Sequence, residues 1–186
     1  MLISFTGAQC TGKSTLLDRM LRDDHLRKCT FIKEVTRKVA AKGISINDCG
    51  DNTTQLFILS EHLNNHYLNG CVVLDRCIID GYLYTRWLRE QGKVDKWVLD
   101  YAHELHTHLI NRLHVVFYTE PDDIKLEDDG QRSVCPKFRN DILNMYEEYL
   151  HNNPLHSNLK IVRLTGSVDQ RFKHIQKTFQ DYDQIR

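Results

Sequence analysis

Eight residues near the amino terminus constrain the fold of this chain more than any others. Positions 7–14 read GAQCTGKS, which matches the pattern GxxxxGK[ST]. They follow an apolar, β-rich run at 2–6 and precede a stretch at about 13–21 whose apolar residues recur at helical spacing. A glycine-rich turn between a strand and a helix is the context in which this pattern binds polyphosphate. The sequence therefore predicts a strand, a phosphate-binding loop and a helix, in that order.

The residue types of this motif suit a nucleoside triphosphate. Glycines let backbone N–H groups turn toward an anion, and the helix that follows adds positive potential at its start. Lys13 is the expected point cation for the β- and γ-phosphates of ATP, and the Ser14 hydroxyl is an expected Mg²⁺ ligand. A glycine-rich turn for some other anion is the alternative. The candidate ATP-binding residues are Gly7, Ala8, Gln9, Cys10, Thr11, Gly12, Lys13, Ser14 and Thr15.

The rest of the chain alternates strand-like and helical patterns. Apolar β-rich runs at 29–32, 71–74, 113–118 and 159–164 are separated by helical stretches. This alternation predicts an α/β fold, a three-layer P-loop NTPase with five parallel strands, helices on both faces and ligands at the carboxyl ends of the strands. Because 186 residues suit one domain, we expect a single unit over 1–186 with a lid at about 122–139.

Composition argues against several other classes of protein. Lys and Arg number 25, as do Asp and Glu, so no net positive charge draws the chain to nucleic acid or to a membrane. No segment approaches the roughly 20 apolar residues of a membrane span, and we expect no secretory signal before the first strand. The six cysteines include no CxxC pair. We expect a cytoplasmic protein with reduced thiols.

Asp75 and Arg76 follow the apolar run at 71–74. This ending resembles the strand-end Asp-Arg of thymidylate kinases and the Glu-Arg-Ser of deoxynucleoside kinases. The resemblance implies catalytic roles for both residues: Asp75 would hold the metal, and Arg76 would reach the acceptor or the transferred phosphate. A pair that merely ends a strand is the alternative.

Glu34 follows the second predicted strand. A similarly placed Glu in deoxynucleoside kinases serves as general base toward the acceptor hydroxyl, which implies that role for Glu34. The string Glu34 to Arg37 also resembles the Glu-x-x-Arg of nicotinamide-riboside-kinase-like domains. Arg37, Gln55 and Asp80 are candidates for the acceptor site, and Gln55 would read a base edge, as a Gln does in the similar kinases. An exposed helix start or a helix cap explains each of them as well.

A charged segment before the sixth helical stretch carries two further arginines. Residues 127–133 and the pair Phe138-Arg139 resemble the Asp-Gly-x-Arg and Phe-Arg of the lid in the same kinases. A lid excludes water and brings an arginine to the transferring phosphate. Arg132 is therefore the first candidate, for both ATP and catalysis, and Arg139 the second, for substrate. A solvated charged loop is the alternative.

Three histidines on one predicted helix invite a metal interpretation. His103 and His106 share a helix face, whereas His108 falls off it, and no zinc-binding spacing accompanies them. We expect a histidine-rich helix that faces solvent.

In order and motif, the chain resembles the small P-loop kinase group of thymidylate kinases, deoxynucleoside kinases and nicotinamide-riboside-kinase-like ATPases. The resemblance implies transfer of the γ-phosphate of ATP, with Mg²⁺, to a nucleoside or nucleotide. A kinase for a hydroxyl of modified DNA is the first alternative, with a basic track at 33–42, and a regulatory ATPase without an acceptor is the second. Similar sequences occur in phage genomes, which would place the protein in the host cytoplasm. The oligomeric state stays open, and a homodimer is compatible with the sequence.

Overall fold

Five parallel strands form one sheet with the order β2-β3-β1-β4-β5. The computed structural model describes residues 1–33, 35–121, 133, 135–152 and 159–183. The strands are β1 (Leu2–Thr6), β2 (Thr30–Ile32), β3 (Val72–Asp75), β4 (Val115–Thr119) and β5 (Lys160–Leu164). The predicted five-stranded parallel sheet is confirmed.

Helices connect the strands. They are α1 (Lys13–Leu21), α2 (Val35–Ala40), α3 (Asn52–His66), α4 (Ile78–Glu90), α5 (Lys96–Leu109), α6 (Pro136–Asn152) and α7 (Val168–Asp183). Short 3₁₀ turns lie at Leu26–Lys28, Asn47–Cys49 and Ile110–Arg112. The predicted lid at 122–139 falls largely outside the described residues. Its last part, 136–139, is the first turn of α6.

Alternating side chains of the strands bury both faces of the sheet. Ile3 and Phe5 of β1 pack on one face with residues of α1 and α7, while Leu2 contributes to the opposite core with α4, α5 and α6. In β4, Phe117 joins the first core and Tyr118 the second. A parallel strand buried on both faces has this pattern, because successive side chains point to opposite sides. The predicted three-layer arrangement is therefore confirmed.

Two cysteines are joined at the amino ends of neighbouring strands. Cys29 precedes β2 and Cys71 precedes β3, and they form a disulfide with their Cα atoms 4.8 Å apart. The expectation that all the cysteines are reduced thiols is wrong for this pair. Their separation of 42 positions in the sequence conceals a proximity that arises from the pairing of the two strands. Cys10, Cys49, Cys77 and Cys135 take no part in a disulfide with the described residues.

The buried face of α1 packs against the sheet, and its contribution to stability is testable. Leu16 is fully buried, whereas Leu21 on the same helix is 43% exposed. We expect Leu16→Ala to lower the free energy of unfolding by about 2–5 kcal/mol, because it removes buried methyl groups and leaves a cavity. Leu21→Ala is the control, with a change within about 0.5 kcal/mol. Urea unfolding of both variants measures this, and equal losses would contradict the assigned burial.

Candidate active site

The glycine-rich turn connects β1 to α1 at the carboxyl edge of the sheet. Its backbone is left-handed at three positions, with φ of 134° at Gly7, 54° at Cys10 and 85° at Gly12. At Gly7 a Cβ atom would lie 2.7 Å from the carbonyl oxygen of Thr119, so only glycine fits between the turn and the end of β4. The turn is a concave loop of the kind that binds phosphate through backbone N–H groups.

Lys13 is buried inside this turn. Its Nζ donates to the carbonyl oxygens of Gly7 at 2.9 Å and Ala8 at 2.5 Å, and to Thr11 Oγ1 at 3.2 Å. The ammonium is therefore held at the centre of the loop, where a polyphosphate would meet it. Ser14 and Thr15 follow in the first turn of α1, half-buried and exposed respectively.

Side chains distant in sequence hold the turn in place. Thr11 Oγ1 lies 2.7 Å from Thr119 Oγ1, which donates to the carbonyl oxygen of Thr6. The Arg171 guanidinium, with Arg171 only 2% exposed, donates to three backbone carbonyls. These are Thr11 at 2.8 Å, Gly166 at 2.9 Å and Glu120 at 3.0 Å. Sequence reasoning missed Arg171, because it reads as an ordinary basic residue of a surface helix.

Arg76 follows β3 and turns back over the glycine-rich turn. Its φ of 75° is left-handed, a conformation that costs about 1–3 kcal/mol outside glycine and that persists where surrounding contacts fix it. The guanidinium Nη1 lies 2.8 Å from Asp80 Oδ1, 3.0 Å from the carbonyl oxygen of Gly7 and 3.3 Å from the Tyr84 hydroxyl. Its carbon also lies 5.2 Å from the centre of the Tyr84 ring. The cation is positioned by the turn and by α4 together.

Asp80 is 3% exposed and accepts four hydrogen bonds. The donors are Tyr146 Oη at 2.7 Å, Thr6 Oγ1 and Arg76 Nη1 at 2.8 Å, and the Cys77 backbone N–H at 2.9 Å. Burial opposes ionisation of this carboxyl, yet the Arg76 charge and the donated hydrogen bonds outweigh it and lower its pKa. In its ionised form, Asp80 thus caps α4 and holds the Arg76 guanidinium in place.

Two cavities meet at Arg76. The first, of about 330 Å³, is formed by residues 9–15 of the turn together with Arg76, and we call it the phosphate cradle. The second, of about 400 Å³, lies between α3 and α4, and we call it the α3–α4 pocket. Its walls include Gln55, Ile58 and His62 of α3, Asp80, Gly81 and Tyr84 of α4, and Thr36, Asn47 and Arg76.

Gln55 is buried in the first turn of α3, with its side-chain amide next to Thr85 of α4. The Thr85 hydroxyl lies 2.6 Å from the carbonyl oxygen of Gly81 and 2.9 Å from the Gln55 amide. The atom of the Gln55 amide that faces Thr85 is its oxygen, Oε1, which accepts this hydrogen bond. The Gln55 side chain also lines the α3–α4 pocket.

Two histidines on α3 are buried and neutral. Burial lowers the pKa of His62 to about 3 and that of His66 to about 4. The His62 Nδ1 has no hydrogen-bond partner among the described residues, whereas the His66 Nδ1 lies 2.7 Å from the His62 carbonyl oxygen. Sequence reasoning missed both, since an isolated histidine in a helix carries no motif.

The structure gathers several of the predicted site residues and separates others. Asp75 is buried at the end of β3, beside Phe5 of β1, and Gln55, Arg76 and Asp80 line one pocket. Arg37 is exposed on α2 and is not among the residues that line the pocket.

Two predicted residues cannot be placed, and two others lie where the sequence did not suggest. Glu34 and Arg132 lie outside the described residues. Arg139 donates to the Cys10 carbonyl oxygen at 3.3 Å, so it reaches the glycine-rich turn and not the α3–α4 pocket. The expectation of a solvent-facing histidine helix is wrong for His106, which is buried with its Nε2 2.7 Å from the Tyr149 hydroxyl.

The donors beside the cradle fit a magnesium ion. Mg²⁺ prefers hydroxyl, carboxylate and phosphate oxygens, with few protein ligands. Ser14 lies in the first turn of α1 and the buried Asp75 ends the adjacent strand, so both offer such oxygens at the same edge of the sheet.

Among the residues that the structure describes, no helix is both long and apolar enough to cross a membrane.

The fold and this glycine-rich turn define an α/β P-loop nucleotide-binding domain. A family model described as an AAA domain matches residues 2–171, and the chain belongs to that family. A search of curated proteins by sequence finds no match.

Solved structures share the fold at low sequence identity. A deoxyadenosine kinase from M. mycoides, with dCMP and dCDP, is 14% identical with a TM-score of 0.70 over 98% of this chain and 100% of that chain. The NadR protein in complex with NR is 19% identical with a TM-score of 0.62, over 97% of this chain and 51% of that one. The YorR protein from Bacillus subtilis is 19% identical with a TM-score of 0.55, over 97% and 96% of the two chains. The predicted small P-loop kinase group is thereby confirmed at the level of the fold.

The neutral histidines of α3 make stability depend on pH. A histidine whose pKa is lower when folded binds protons in the unfolded chain first, so stability falls as the pH drops below about 6.5. For His62 and His66 we expect the free energy of unfolding to fall by up to about 1.4 kcal/mol per pH unit each.

Urea unfolding between pH 7 and pH 5 measures this slope. His66→Leu should make the slope shallower, and substitution of the exposed His103 by Asn should keep the wild-type slope. A free energy of unfolding that stays constant over this range would contradict neutral burial.

Proposed function

We propose that this protein transfers the γ-phosphoryl group of ATP, with Mg²⁺, to a nucleoside or nucleotide bound in the α3–α4 pocket. The observation that carries the proposal is that Arg76 lines both this pocket and the phosphate cradle. Phosphoryl transfer requires donor and acceptor to meet in line beside a positive charge that stabilises the transferring group. A guanidinium common to two cavities supplies that charge.

Each residue of the cradle has a role in this proposal. The glycine-rich turn binds the phosphates through its N–H groups, and Lys13 leaves its carbonyl partners to contact the β- and γ-phosphates. Ser14 and Asp75 would hold Mg²⁺, which neutralises charge that develops on the phosphate oxygens. Arg139, held at the Cys10 carbonyl, stands at the edge of the turn where a second arginine would assist, and Arg132 is proposed for the same task.

The charges of the pocket favour a nucleoside over a nucleotide. Among its described lining residues Arg76 is the one permanent cation, and it already faces the cradle. His62 is neutral, and the Asp80 carboxylate is negative. A monophosphate would bring two further negative charges without a second described cation to meet them.

The basic track that would serve a DNA acceptor is partly neutralised. Lys38 forms an ion pair with Glu61 at 3.1 Å, and the Lys42 ammonium lies 5.7 Å from the centre of the Phe57 ring. Affinity for a polynucleotide depends on several cations free to contact phosphates. A small acceptor is therefore favoured.

We also propose that residues 1–186 act as a single domain.

ADP release in the presence of ATP, Mg²⁺ and individual acceptors tests this function. We expect a nucleoside among a panel of nucleosides, nucleotides and modified DNA to raise ADP release well above the rate with ATP alone. Lys13→Ala should abolish transfer and keep the circular dichroism spectrum, because it removes the cation and leaves the fold. Lys96→Ala, on the exposed start of α5, is the matched control. If no acceptor raises turnover over the ATP background, the proposal is wrong.

Glu34 remains the proposed general base. We expect Glu34→Gln to slow transfer by about 10²-fold or more while ATP affinity is unchanged, because the amide cannot accept the acceptor's proton. Single-turnover transfer and ATP titration measure the two quantities, with the exposed Glu104→Gln as control. Equal transfer rates in wild type and Glu34→Gln would remove Glu34 from the catalytic residues.

A further inference from the structure

The α3 wall of the pocket carries two polar side chains on one face. Gln55 and His62 stand two helical turns apart, so they project in the same direction. Both are 2% exposed, and both line the α3–α4 pocket. Neither lines the phosphate cradle, which identifies this wall as the part of the pocket away from the reacting phosphate.

A glycine on α4 makes room for the imidazole of His62. A Cβ atom on Gly81 would lie 3.0 Å from His62 Cδ2, closer than side chains tolerate without displacement. The same added atom would lie 3.1 Å from Leu59 Cδ2. The ring is therefore seated against the backbone of α4 at a fixed position, as a side chain that recognises a ligand must be.

One hydrogen-bonding atom of this ring, Nδ1, is unused by the described residues. The buried Nδ1 of His62 has no partner in the described part of the chain. Because the pKa is about 3, the ring is neutral and offers one N–H donor and one lone pair. A buried polar atom without a partner costs free energy that a ligand able to hydrogen-bond would recover.

We infer that His62 is a specificity-determining residue of the α3–α4 pocket, which hydrogen-bonds, beside Gln55, to the polar edge of the base of a nucleoside acceptor. The inference rests on the proposed function. Gln55 offers a side-chain amide, His62 a neutral ring with a donor and an acceptor, and Ile58 between them an apolar surface for the base. A heteroaromatic base with donors and acceptors along one edge matches this set, whereas a simple polyol or an anion does not.

The second buried histidine supplies a matched control. His66 lies one turn further along α3, is 1% exposed and also has a ring nitrogen, Nε2, without a partner in the described residues. It is not among the residues that line the pocket. Substitution of His66 therefore reports the general effect of removing a buried imidazole from this helix.

Binding of nucleosides without phosphoryl transfer tests the inference. The probes are 2′-deoxyadenosine, 2′-deoxycytidine, 2′-deoxyguanosine and thymidine, titrated calorimetrically into wild type, His62→Leu, His62→Asn and His66→Leu. For the probe that wild type binds best, we expect Kd to rise about tenfold in His62→Leu, which has no hydrogen-bonding group. His62→Asn, with a short amide, and His66→Leu should stay within about threefold, and ATP affinity should not change in any variant.

A spectroscopic measurement covers the case in which His62→Leu does not fold. In ¹⁵N-labelled wild type, the imidazole nitrogens of His62, assigned from their absence in His62→Asn, should shift when the best probe is added, and those of His66 should not. His62 nitrogens that do not respond to a bound nucleoside would overturn the inference.

The outcomes separate the two proposals. If wild type phosphorylates a nucleoside but His62→Leu binds it equally well, His62 is not a specificity residue and the proposed function stands. If wild type neither binds nor phosphorylates any nucleoside, the proposed function fails and the inference fails with it.

Discussion

The buried carboxylate of Asp80 is the interaction on which the arrangement of the site depends. Its four donors come from β1, from the turn before α4, from Arg76 and from α6, so one side chain joins the sheet to two helices. Each donated hydrogen bond also offsets part of the free-energy cost of placing a charge away from water. Removal of any one of them would leave a buried charge with incomplete solvation. The position of Arg76, with its left-handed backbone, is thus fixed by its contacts with Asp80, Tyr84 and the Gly7 carbonyl.

A second set of contacts fixes the phosphate cradle from the opposite direction. Arg171 of α7 binds the carbonyls of the glycine-rich turn, of the turn after β5 and of the residue after β4. Three loops at the carboxyl edge of the sheet therefore share one buried guanidinium. Such preorganisation matters for a loop that must present N–H groups to phosphate without rearranging. The networks that hold the cradle and Arg76 share the Gly7 carbonyl, which accepts from both Lys13 and Arg76.

Local motifs in the sequence predicted what lies close along the chain. The turn at 7–14 and the pair Asp75-Arg76 are contiguous, and alternation of apolar runs was sufficient to predict the sheet and its layers. Arg171 was missed because its partner Thr11 is 160 positions away. His62 escaped for a related reason, since its significance depends on Gly81 of another helix. Arg37 stays a prediction, because nearness to Glu34 in sequence does not determine the direction in which a helical side chain projects.

The Cys29–Cys71 link lies at the amino ends of β2 and β3, whereas both cavities open at the carboxyl edge. A crosslink there restricts the unfolded chain more than it alters the folded one. The two ends of the strands therefore have different roles, one in stability and the other in ligand binding. A change between an oxidising and a reducing environment would alter the stability of the folded chain through the amino ends of the strands. Ligand binding at their carboxyl ends would stay the same.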